Sequence, residues 1–184
     1  MKDYSLIYSP IGGAGEIGMN MYAYGFKRKD KISYILVDAG VSFPKMDSEP
    51  GVDLIFPNPK LILNNLRDLE GIFITHAHED HLGAIGFIAS KIDCKIFCRK
   101  FTAAIVKDKL KKVNVNDKRV VTVKEWPFEV KLKNASVTFF PTFCKVGVLK
   151  GIIWKCCLGY NVIQMPIRSH VFPIHFFIKL MFWI

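Results

Sequence analysis

The stretch "FITHAHEDHLG", residues 73–83, sets three histidines and two carboxylates within six positions, His76 to His81. Neutral imidazoles and carboxylates are ligands that zinc accepts, and a loop leaving straight from a strand brings such side chains together. Four neighbouring side chains in His76-x-His78-x-Asp80-His81 cannot all wrap one ion. The spacing therefore points to two ions, with His76 and His78 on one and Asp80 and His81 on the other. Paired metals generate hydroxide at neutral pH and clamp a phosphoryl oxygen, so the chemistry in view is hydrolysis at phosphorus. A hydrated loop that happens to be rich in histidine is the weaker reading.

Such a loop needs strands and helices to hold it, and residues 1–141 alternate between the two. "YSLIYSPI", "MNMYAYGF" and "ISYILVDAG" have strand character, with the charged "KRKDK" as a turn between the last two. After a loop rich in Pro and Asp, Asn58 followed by Pro59 marks the start of a helix over "PKLILNNLRDLE". "GIFIT" is a short run of buried-strand type ending directly at His76. "LGAIGFIASKI" is expected to be helical, "CKIFCR" a strand, and "TAAIVKDKLKK" a helix capped by Thr102. "RVVTV", "FEVKLKN" and "ASVTFFPT" complete the series as strands. The fold class is α/β.

Gly13, Gly15 and Gly18 in "GGAGEIG" satisfy G-x-G-x-x-G, and Asp38 lies twenty residues beyond Gly18, a dinucleotide-binding spacing. That fingerprint needs a helix starting within the glycines. Here the run leads into "MNMYAYGF", which alternates with period two, so no nucleotide cofactor is expected. A turn that lets backbone lie close to a ligand or metal site is the better reading.

"THAHEDHLGA" resembles the signature of the metallo-β-lactamase superfamily. Together with "GGAGEIGMNMY", "ILVDAGVSFP", "GVDLIFPN" and "GIFITHAHEDHLGAI", it is similar to the ribonuclease J family of the β-CASP branch, over about residues 6–142. The resemblance implies an αββα sandwich, of which this chain would supply the N-terminal half. It also implies two zinc ions, endo- and 5′-exonuclease action on RNA, and RNA as partner. It makes His76, His78, Asp80 and His81 metal ligands, gives Asp80 a catalytic role, and has Asp38 support the site from a neighbouring strand end.

The family pattern breaks after "FFPT". The resemblance calls for a histidine just beyond that strand, then an aspartate bridging both metals, then the β-CASP domain and a last histidine. Here "FCKVGVLKG" comes next, the next histidine is His170, and residues 130–184 contain no Asp or Glu, although residues 1–129 carry all sixteen. Cys144 lies near the place of the missing histidine, and His170 and His175 lie in the tail. The tail from Phe143 has five basic residues and neither helical nor strand period. It is expected to be poorly ordered, and a segment translated out of frame is preferred over a genuine basic tail.

The remaining features bound the setting. A net charge of +10 suits an anionic partner, though lysine-rich surfaces also occur without one. The basic run from Arg99 to Arg119 would either meet RNA phosphates or form the wet face of one amphipathic helix, the latter preferred. Five cysteines without framework spacing fit a reduced cytoplasmic setting, with Cys94 and Cys98 as core thiols. The apolar C-terminal stretch of 14 residues is interrupted by Pro173, His175 and Lys179 and is too short to span a membrane. Two classes of function compete: a zinc-dependent RNA phosphodiester hydrolase, or a non-catalytic remnant that binds at most one ion firmly or associates with an intact homologue or a second copy. Missing later ligands favour the remnant.

Overall fold

Period-two alternation fades in the central strands because both faces of the main sheet are covered. The computed structural model describes residues 4–44, 50–58, 60, 64, 68–125, 127–133, 135–142 and 160–164. Its larger sheet has six strands in sequence order: β1 (Tyr4–Gly12), β2 (Met21–Arg28), β3 (Lys31–Val37), β4 (Leu69–Phe73), β5 (Ile96–Arg99) and β6 (Val120–Val123). The first three are antiparallel, and β3 to β6 run parallel. The second sheet orders β7 (Phe128–Lys131), β8 (Ser136–Thr142) and β9 (Tyr160–Gln164), all antiparallel.

Parallel neighbours need crossovers, and helices supply two of them. Between β4 and β5 lie α1 (Glu79–Leu82) and α2 (Ile85–Ala89), and between β5 and β6 lies α3 (Lys100–Lys112) with a 3-10 turn after it, Asp117–Arg119. Leu82, Ile85, Ile88, Val106 and Leu110 of these helices pack on Met21, Leu36, Ile72, Ile74 and Ile96 of the sheet. On the opposite face Tyr24, Ile35, Phe73 and Phe97 meet Val130, Val137 and Phe139 of the second sheet. A strand covered on both sides has no wet face, which is why "GIFIT" reads as an uninterrupted apolar run. Helices, six-stranded sheet and three-stranded sheet thus form three successive layers, the α/β arrangement of a partial αββα sandwich.

Three local expectations change. Thr102 does not cap α3: β5 runs straight into the helix, Arg99 is the extended residue at its start, and Thr102 is buried within its first turn. The helical stretch after the histidines starts earlier than "LGAIGFIASKI" and is divided, with α1 beginning at Glu79 and α2 ending at Ala89. The tail, read as having no strand period, contributes β9, which pairs with β8 from Thr138↔Gln164 to Thr142↔Tyr160. "YNVIQ" holds Tyr, Val and Ile, residues that suit an extended strand, in too short a run to stand out. Most of "PKLILNNLRDLE" lies outside the described residues, but the Oδ1 of Asn58 does accept the N–H of Lys60 at 2.9 Å. Among the described residues no helix is long and apolar enough to cross a membrane.

Phe139 is the largest side chain that the second sheet buries completely, and its ring lies 6.0 Å from that of Phe73 across the two sheets. Phe139→Ala should therefore cost about 3–5 kcal/mol of unfolding free energy, measured by urea denaturation. A loss below about 1 kcal/mol would mean that the sheets do not share this core.

Candidate metal centre

The site lies beyond the C-terminal ends of β3 and β4, where two loops meet and a third crosses them. Asp38 directly follows β3 and is fully buried, with its backbone in the left-handed region at φ 62°. Asp is one of the few residues other than glycine that adopts this conformation readily. The turn aims its carboxylate at the loop after β4. There the backbone N–H and the hydroxyl of Thr75 donate to Oδ1 at 2.8 and 2.9 Å, and Nδ1 of His81 lies 2.7 Å from Oδ2.

These contacts fix both buried imidazoles. A carboxylate only accepts, so the single hydroxyl proton of Thr75 goes to Asp38 and its oxygen is left to accept from Nδ1 of His76, 3.0 Å away. His76 thus carries its proton on Nδ1, and Nε2 faces Nδ1 of His78 at 3.1 Å. His81 in its neutral form likewise carries its proton on Nδ1, toward Asp38, while Nε2 faces Oδ2 of Asp80 at 3.4 Å. Carboxylate-tethered histidines presenting the far nitrogen are the usual support of a metal ligand.

Two nitrogens bound to one tetrahedral zinc at about 2.0–2.1 Å stand about 3.3 Å apart. The pairs His76–His78 and Asp80–His81, at 3.1 and 3.4 Å, both have that spacing. The donor set therefore suits zinc or iron in chemistry and in pairwise distance. Among the described residues no group of three or more His, Cys, Asp or Glu side chains is arranged to hold a metal ion. Cys144, His170 and His175 lie outside the described residues.

Main-chain bonds lock the loops together. The N–H of Ala39 donates to His81 O at 2.7 Å, that of Val41 to Glu79 O at 3.1 Å, and that of Ala84 to Ala39 O at 2.8 Å. From the other side Asn20 N–H donates to Asp80 O, and Gly40 N–H to Asn20 O, both at 2.9 Å. Gly40 sits where the three segments touch: a Cβ there would lie 1.7 Å from the carbonyl oxygen of Asp80 and 2.8 Å from the nitrogen of Asn20. The glycine-rich run is the third segment. Gly13 and Gly18 have φ of 78° and 88°, no helix begins among them, and the chain passes through Asn20 into β2.

Electrostatics separate the two buried histidines. Burial, helped by the neighbouring His81 and His78, holds His76 down at about 3, so it is neutral as a ligand must be. Burial also acts to lower His81, but the hydrogen bond and charge of Asp38, with Asp80, outweigh it and raise the net value. Tyr22 is pushed up to about 12, chiefly by burial, so its hydroxyl stays a donor.

All four ligands expected from the sequence, and Asp38, thus fall in one cluster. Thr75, Asn20 and Tyr22 escape a reading by motif; their signal in the sequence is a polar residue at each junction between an apolar strand and a motif. The basic run is the outer face of α3 together with the 3-10 turn beyond it. Lys109, Lys111 and Lys112 pair with Glu79, Asp117 and Asp108, and Arg119 donates to the carbonyls of Ala89, Ile92 and Cys94. Cys94 and Cys98 are free thiols in the helix-side core, and burial raises both.

Gly40→Ala should lower stability by about 3 kcal/mol or more, because the clash is with main chain and no rotamer relieves it; urea unfolding measures it. In chelator-treated protein stability should fall as pH drops from 6.5 toward 3, since the unfolded chain takes up a proton on His76 that the folded chain refuses. His81 acts in the opposite sense: its contribution is complete below 6.5 and fades as pH rises through its raised value. His76→Gln should flatten the acid limb of urea midpoint against pH.

A model of the family described as "Beta-lactamase superfamily domain" matches residues 33–165, from β3 through the histidine loop to β9. Ribonuclease J of Sinorhizobium meliloti is 41% identical over 108 residues, 59% of this chain and 19% of that protein. Ribonuclease J 2 of Staphylococcus saprophyticus is 36% identical over 142 residues, 77% of this chain and 24% of that protein. The chain spans about a quarter or less of the length of these relatives. The peroxy-diiron form of the chemotaxis sensor ODP superposes with a TM-score of 0.53 at 13% identity, over 89% of this chain and 56% of that one, a likeness of fold alone. With more than half its residues matched by that family and its histidine loop inside the match, the chain belongs to the β-lactamase superfamily and is homologous to the N-terminal part of ribonuclease J.

Proposed function

We propose that this chain is the part of a ribonuclease J-like RNA phosphodiester hydrolase that carries the histidine loop, and that by itself it binds metal without turning RNA over. The observation that carries the reading is the pairing of four donors in one cluster, His76 with His78 and Asp80 with His81, each pair at the spacing of two ligands on one ion. His76 and His78 would hold one zinc, Asp80 and His81 the other. When bound, the metals supply Lewis acidity and an acidified water. The residues of this chain do the rest: Asp38 and Thr75 set the tautomers, and the partly exposed Asp80 offers its carboxylate at the open side, where it would orient the attacking oxygen.

Ligand number argues for binding without turnover. Zinc sites usually have about three or four protein ligands, and among the described residues the four donors supply two per ion. Two divalent ions a few ångströms apart with no carboxylate between them repel strongly. The chain changes character near Thr142, which we propose as the point where an appended basic and apolar segment begins, although β9 and the family match carry the fold on to residues 164 and 165; the coding DNA after codon 142 would reveal its reading frame.

After dialysis against metal-free buffer the protein should retain at most about one zinc, and it should not shorten a 5′-labelled RNA in the presence of zinc or manganese. Two tightly held ions together with cleavage that Asp80→Ala abolishes would overturn the non-catalytic reading. Absence of any metal uptake would overturn the metal reading.

A further inference from the structure

The contact that stands outside the histidine motif and outside the Asp38 system is made by Asn20. Its side-chain Nδ2 lies 3.2 Å from Oδ2 of Asp80 and 3.2 Å from Nε2 of His81. Its Oδ1 accepts from the hydroxyl of Tyr22 at 3.0 Å. Asp80 only accepts and Tyr22 donates, so the amide has one orientation that satisfies both, with NH2 toward Asp80. The Tyr22 hydroxyl has a single proton; the carbonyl of Gly13 is a poorer second acceptor at 3.4 Å. The backbone of Asn20 is held as firmly, donating to Asp80 O and accepting from Gly40 N–H.

We propose that Asn20 is the positioning residue of Asp80, holding its carboxylate with an amide N–H while the remaining carboxylate lone pairs stay open to an ion; Nε2 of His81, 3.2 Å from the same amide nitrogen, keeps its single lone pair for that ion. The Asp80 side chain is 35% exposed, against 6% for His81, and the Asp38 carboxylate holds His81 rather than Asp80. A short carboxylate on the first turn of a four-residue helix would otherwise sample several rotamers. Asn20 removes that freedom from the neighbouring loop, and Tyr22, on the adjoining strand, fixes Asn20. The glycine-rich run thus acquires a purpose: it delivers an amide to the ligand pair. The amide bond reaches Asp80, so the effect belongs to the Asp80–His81 half of the cluster.

The inference rests on the reading that Asp80 and His81 share an ion, and two measurements separate its failure from the failure of that reading. The first needs no metal. In the chelated full chain, the side-chain amide resonances of Asn20 should move when Asp80 is changed to alanine and again when Tyr22 is changed to phenylalanine; resonances unmoved by Asp80→Ala overturn the proposal. The second uses cobalt(II) as probe. Asn20→Ala should weaken cobalt binding about 10–100-fold, the range for loss of a group that orients a ligand, and should alter the visible spectrum of the bound ion. Tyr22→Phe, which keeps the buried ring, should shift affinity in the same direction by less and serves if Asn20→Ala does not fold. Equal affinity and an unchanged spectrum overturn the proposal. If the unaltered chain takes up no cobalt, the metal reading falls, and the amide resonances decide Asn20 alone.

Discussion

The carboxylate of Asp38 is shut away from water, and three donors converge on it: the N–H and hydroxyl of Thr75 and the imidazole of His81. Burying such a group without partners is costly, so the surrounding chain must supply them all. That requirement ties β3 to the loop after β4, fixes the protonated nitrogen of two histidines, and forces the left-handed turn at which the chain leaves the sheet. The orientation of both buried imidazoles depends on this carboxylate.

Position at a strand end is the second constraint. The parallel part of the sheet places the exits of β3 and β4 side by side, with Asp38 N–H bonded to Phe73 O at 2.9 Å. Layers on both faces then leave the loops no route except outward from the strand ends. The helices serve the same arrangement: α1 carries Asp80 and His81, and α3 anchors Glu79 through Lys109 at 2.9 Å. Three of the five lysines of α3 pair with carboxylates of the molecule: Lys109 with Glu79, Lys111 with Asp117 and Lys112 with Asp108.

Much of this could be read from residue order. The alternation of short apolar runs and turns located β1 to β8, and the histidine motif located the residues that cluster beyond β4, His76, His78, Asp80 and His81. Asp38 was recognised by resemblance and as the second half of a nucleotide fingerprint, but not as a tautomer-setting group, because the partner that defines it is 37 residues away. Asn20 and Tyr22 were missed for a similar reason: a lone amide at the mouth of a strand is ordinary until the third dimension puts it against Asp80. Thr102 misled because its type favours a cap, whereas the core claimed its side chain. β9 was missed because a five-residue strand in an acid-free, aromatic-rich stretch has too little contrast with its surroundings.

Five of the bonds that join Asn20, the segment 39–41 and the segment 79–84 run from main chain to main chain. Such bonds take no notice of which side chain sits at positions 78 or 80, whereas His81 is tied to the buried Asp38. Gly40 and Gly83 are dictated by the crossing itself: a Cβ at Gly40 would meet the carbonyl oxygen of Asp80 and one at Gly83 that of Glu79. The frame and its functional groups are therefore separable: donors can be exchanged for others of similar reach while the loops keep their course. A scaffold built this way is permissive toward new ligand sets and hence toward new metals and substrates, and its tolerance comes from the backbone rather than from any looseness of the site.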